Sequence, residues 1–166
     1  MPSLVWIVFV TVSLTAAVTD LLTYRIPNIL VGALALAFVA LALFQWTGVN
    51  WIGHFGVAAM VLGGCIVFYA FGQMGAGDAK LLGALALWAG IPGVVALLFW
   101  VSLCGLCGMA LILVARPFAP MVAKASLTNG GLPRVLTKGQ GIPYGVGIAP
   151  GAIIASFSFP PWLWHP

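Results

Sequence analysis

Charge is what this chain has least of. Only 5% of its 166 residues are charged, against roughly 25% in a soluble domain. Glutamate is absent, and the acids are Asp20 and Asp78 alone. With 63% hydrophobic residues, such a chain cannot cover a water-facing surface with polar groups, so a soluble globule is excluded and lipid is the solvent it requires. In lipid every backbone amide and carbonyl must be satisfied internally, leaving helices or a closed barrel. A barrel would alternate polar and apolar residues in strands of about ten. The apolar runs here are continuous and rich in Leu, Ala, Val and Gly, so the predicted fold is all-α. No Lys or Arg precedes the run from Leu4 to Val18, and without a basic leader that run reads as a retained first helix rather than a signal peptide. Cysteine is scarce too. Cys65, Cys104 and Cys107 all sit inside apolar runs; they are too few for the four-ligand set zinc usually takes and read as small packing residues. No Ser–His–Asp set can be assembled either, and no cofactor or metal is expected.

What is present divides into six apolar segments: about Leu4–Thr19, Ile29–Phe44, Trp51–Phe71, Asp78–Ala89, Val94–Ala115 and Tyr144–Trp164. The breaks are Pro27-Asn28, the polar patch 45–50, the glycine-rich stretch 72–77, the 90–93 turn and the polar stretch 116–141. This predicts one polytopic membrane domain over residues 1–166 with six transmembrane helices. The net charge of +4 does not point to nucleic acid, because the cations are scattered. With six spans, Arg25, Lys80, Arg116, Lys124, Arg134 and Lys138 all fall on one side and none on the other. The positive-inside rule makes that side cytoplasmic and puts both termini outside. Trp46, Trp51, Trp162 and Trp164 fall near helix ends on the outer side, as an interfacial aromatic belt would. His54 and His165 share that side and read as solvated loop-end residues rather than ligands. The cytoplasmic 116–141 loop has no acids, and two roles are open to it: contact with anionic lipid or a partner protein, or simple connection.

The chemistry must lie with the two acids. Asp20 follows the first helix with no polar cushion before it, and Asp78 opens the fourth beyond Gly75-Ala76-Gly77. Ionisable groups at membrane depth are costly and tend to mark function. Either acid by itself is also a reasonable helix cap, Asp78 as an N-cap above all. Both, however, end on the same side of the membrane, so they meet if the first and fourth helices pack together. Two carboxyls sharing a site cannot both ionise cheaply; one keeps a proton, and the pair supplies one acid and one base. The base can draw a proton from water while the acid protonates a peptide carbonyl. Gly75 and Gly77 leave bare backbone beside the acid, where an extended peptide could approach. Lys80 stands two residues past Asp78 and points away from it on a helix. It suits a snorkelling anchor and an electrostatic partner of the acid equally.

Three separated segments together resemble the type IV prepilin peptidases, which belong to the Gly-x-Gly-Asp class of intramembrane aspartic proteases. They are Asp20-Leu-Leu-Thr-Tyr-Arg25-Ile-Pro27-Asn28, Gly75-Ala-Gly77-Asp78-Ala-Lys80 and Ile142-Pro143-Tyr144-Gly145. They occur in the family's order and span nearly the whole chain. The resemblance implies that Asp20 and Asp78 are the catalytic pair of an enzyme in the bacterial inner membrane, with its site toward the cytoplasm. It implies that Pro27, Asn28, Gly75, Gly77, Lys80, Pro143 and Gly145 have supporting roles. The implied substrates are prepilins or pseudopilins, cut between a short basic leader and an apolar helix, and pilus assembly proteins are candidate partners beside membrane lipid. Long family members carry two C-x-x-C pairs in a cytoplasmic segment and a methyltransferase activity. This chain offers no such set and resembles the short, peptidase-only form.

Other classes make different demands. A proton- or ion-coupled transporter predicts acids near the midplane and inverted repeats, and no repeat is visible. A non-catalytic assembly subunit would tolerate loss of at least one acid. A presenilin-like enzyme would carry a Pro-Ala-Leu segment, which is absent near Pro143.

Overall fold

The computed structural model describes residues 4–44, 49–115, 117 and 144–163. Pro143, His165, Trp46, Trp164 and nearly all of the 116–141 loop lie outside these. The described residues are helical and contain no strand. They form α1 (Leu4–Thr23), α2 (Asn28–Phe44), α3 (Trp51–Ala70), α4 (Ala76–Ala115) and α5 (Gly145–Ala155), followed by the 3-10 turns Ser156–Ser158 and Pro161–Leu163. α1, α3 and α4 are long and apolar enough to cross a bilayer, whereas α2 and α5 are apolar but shorter.

Sequence signals explain most of the boundaries. α1 runs one turn beyond the expected Thr19, because nothing between Asp20 and Thr23 breaks a helix. It stops where Tyr24 takes a positive φ of 55°, unusual for a bulky residue. Pro27 then leads into α2, its carbonyl accepting from the Leu30 amide at 3.1 Å. Asn50 caps α3 by accepting from the Gly53 amide at 2.9 Å. At the other end Gly72 adopts φ 69°, and the bonds Gly72 N–H to Tyr69 O and Gln73 N–H to Phe68 O, both 2.9 Å, complete a Schellman motif.

Among the described residues five helices stand where six segments were expected, since the predicted fourth and fifth are joined in the 40-residue α4. The expected break is a single residue: Gly90, at φ 57° and ψ −167°, is non-helical, and helix resumes at once with Pro92 in the first turn, where its missing N–H costs little. Before Gly90, α4 runs antiparallel to α3, with Gly83 against Leu62 and Gly90 against the His54 ring. After it, α4 runs antiparallel to α5 and its tail, with Gly93 against Phe159, Val101 against Gly151 and Gly105 against Gly147. Asp78 and Gly105 both stand near the level of Asp20 and Gly145. An unbroken helix would hold them about 40 Å apart, so α4 folds back on itself at Gly90.

That reversal corrects the reading of His54, which is 3% exposed rather than solvated. Its Nδ1 donates to the Leu87 carbonyl at 2.7 Å, in the last turn before the break, where helical carbonyls lose their donors. The imidazole joins an aromatic core in the half of the bundle away from Asp20. Phe38 lies 4.9 Å from His54 and 5.9 Å from Trp88, and Phe9 lies 5.2 Å from Trp88. Trp88 is fully buried and donates to the Leu34 carbonyl at 3.0 Å. Trp162, assigned to the interface from sequence, is half-buried in this core, 5.6 Å from His54. Trp51 stacks on Phe55 instead, at 6.2 Å.

Candidate active site

Both acids are buried, Asp20 at 6% and Asp78 at 7% exposure, and they lie close enough to interact electrostatically. Asp20 sits in the last turn of α1 rather than beyond it. Asp78 sits in the first turn of α4. The Ala79 amide donates to the Gly75 carbonyl at 3.1 Å, which makes Gly75 the capping residue and Asp78 the third helical position. The N-cap reading of Asp78 is therefore corrected by three residues. From there its carboxylate accepts from the Gly75 backbone amide, the reciprocal half of a capping box.

The third motif segment closes on the first. The Gly145 amide, at the start of α5, donates to Asp20 Oδ2 at 2.8 Å. A Cβ at Gly145 would lie 2.8 Å from that oxygen and 2.9 Å from the Asp20 Cβ, so only glycine brings its amide this near. Gly77 faces the α1–α2 connection, where a Cβ would meet the Ile26 Cβ at 3.2 Å. The stretch after Asp20 and the stretch before Asp78 are thus in direct contact. At Gly75 a side chain would collide with Asp78 Oδ2 at 2.7 Å. Lys80 Nζ donates to Asn28 Oδ1 at 3.2 Å, a second tie between the two segments, which directs the ammonium to Asn28. Pro27 is exposed at the head of α2. Of the site residues named from sequence, only Pro143 falls outside the described residues.

Three residues given no role from the sequence stand on or beside the segments that carry the acids. Ile26 is buried against Gly77. Cys65 of α3 is buried near enough to Asp78 to feel its charge. Tyr24 has a buried hydroxyl which, like Asp78 Oδ1, has no hydrogen-bond partner among the described residues. Among those residues no cluster of His, Cys, Asp and Glu is large enough to hold a metal.

Two buried carboxyls in one site, each tied to a backbone amide and one with an oxygen unpartnered among the described residues, can activate a water and protonate a carbonyl. The model of the type IV leader peptidase family matches residues 7–110, a stretch that contains both acids. No curated protein and no solved structure matches the chain.

Proposed function

The chain belongs to the type IV leader peptidase family, and from that premise we propose that it hydrolyses the leader peptide of prepilin-like precursors with Asp20 and Asp78 as an aspartic dyad. The observation that carries this reading is the convergence of the chain's only two acids. They are buried together and bracketed by Gly145, Gly75 and Gly77, at the meeting point of three sequence-distant motif segments. One carboxyl takes a proton from water, and the other delivers one to the scissile carbonyl. The pair titrates as a unit, and either acid can fill either role. An extended substrate would pass along the side-chain-free backbone of Gly75 and Gly77.

In this reading the chain is one membrane-embedded domain of six spans, the two limbs of α4 each crossing the bilayer. Arg25 and Lys80 then mark the cytoplasmic end, where both acids lie, in the inner membrane of a bacterium. Acids in the terminal turns of their helices suit a site at the membrane face better than the midplane site of a transporter. Asn28 and Lys80 support the site by tying together the segments around the acids, and Pro27 and Pro143 keep the supporting roles that the family resemblance implies.

The test is precursor processing by membranes carrying the wild type, Asp20→Asn or Asp78→Asn, with insertion checked separately. Each variant should insert normally and leave the precursor uncut. Cleavage by either one at the wild-type rate would end the dyad reading.

A further inference from the structure

An apolar groove of ≈ 360 Å³ runs between α2, α3 and the first limb of α4, lined by residues that include Val31, Ala35, Ala58, Leu62, Gly83 and Lys80. We infer that this groove binds an anionic phospholipid, one acyl chain lying in it and the phosphate at Lys80. The inference rests on the membrane topology proposed above and not on the peptidase chemistry.

Lys80 is the charged member of the lining, and it is exposed. Among the described residues its ammonium bonds only the neutral amide of Asn28, which leaves two of its three donors for an outside acceptor. Among the described residues neither aspartate is bonded to it. The chain has six cations and two acids, and both acids are buried in the site, tied to the amides of Gly145 and Gly75. The matching anion comes from elsewhere, and at the cytoplasmic leaflet it is abundant as lipid phosphate. The bond to Asn28 also holds the ammonium at the groove's end, where a freely snorkelling lysine would move about.

The groove's lining argues for a chain of methylenes. Phe55 and Leu62 of α3 bound it lengthwise, about 10 Å along a helix axis. Apart from Lys80 every side chain of the lining is apolar, so what lies along it is hydrocarbon and its polar partner is an anion at the lysine. A second copy of this chain would also bring the same excess of cations toward Lys80.

The experiment is native mass spectrometry of the detergent-purified full chain, offered phosphatidylglycerol or phosphatidylcholine at equal concentration. The wild type should retain the anionic lipid about fivefold better, the effect of one near-surface cation. Lys80→Gln should erase that preference. Ala59→Trp, which fills the groove from its exposed face on α3, should lower retention of both lipids. Equal retention of the two lipids by the wild type, or undiminished retention by Ala59→Trp, would overturn the proposal. So would displacement of the bound lipid by inorganic phosphate alone, which would mark a headgroup site without a chain. A change from dimer to monomer in Ala59→Trp with lipid retention intact would make the groove a subunit contact instead.

Discussion

Gly145→Ala tests the geometry of the site without touching either acid. The added methyl would start 2.8 Å from Asp20 Oδ2 and 2.9 Å from its Cβ, well inside contact distance. Either α5 retreats or the Asp20 side chain rotates, and in both cases the 2.8 Å bond from the Gly145 amide is lost. A hydrogen bond to a charged acceptor contributes about 1.5–3 kcal/mol. If that energy is expressed in the transition state, cleavage falls about ten- to 150-fold, at about 1.36 kcal/mol per decade. The loss should appear in kcat/KM, measured by precursor processing in detergent with the variant's melting curve alongside. Gly108→Ala is the control, because a Cβ there meets nothing within 4 Å; it should cleave like the wild type. Wild-type activity in Gly145→Ala would mean that the amide does not position Asp20. An equal loss in Gly108→Ala would mean that helix rigidity, not the site, was being measured.

Three further outcomes follow from the described contacts. Replacing Ile26 and Gly77 by cysteine, in a background lacking Cys65, Cys104 and Cys107, should yield a disulfide on mild oxidation. Their Cβ separation of 3.2 Å is within reach of the usual 3.5–4.5 Å; persistent labelling of both thiols by a maleimide after oxidation would contradict the apposition of the two segments. Gly90→Ala should lower the melting temperature, because φ 57° with ψ −167° is a conformation essentially kept to glycine, costing an L-residue about 1–3 kcal/mol, and its methyl would press on the His54 ring. His54→Ala should destabilise by about 1–3 kcal/mol in chemical unfolding, through the Leu87 carbonyl it leaves unpaired, and unchanged stability would remove it from the core.

How much of this was legible in the sequence depends on the residue. Asp20 and Asp78 stand out because a chain with two acids must bury both or explain both, and the glycines around them mark close backbone approach. The helices follow from continuous apolar runs in a solvent that forbids unpaired backbone. Other features depend on tertiary contacts that no local pattern encodes. His54 borders a polar patch and reads as solvated, yet the fold-back of α4 carries Leu87 and Gly90 over it. The Gly90–Gly93 stretch reads as a turn of several residues, but one left-handed glycine suffices. Lys80 suits two roles equally from sequence, and its bond to Asn28, 52 residues away, is a contact that no local pattern encodes. The exposed glycines of α3, Gly56, Gly63 and Gly64, are in open space, and their composition alone does not separate them from the tightly seated Gly147 and Gly151.

The capping of Asp78 separates anchoring from reactivity within a single side chain. Oδ2 is committed to the start of α4, while Oδ1 is buried and unattached. In the dyad proposed above, a proton arriving at or leaving Oδ1 need not unfasten the helix, so the scaffold would stay still while charge moves on the other oxygen.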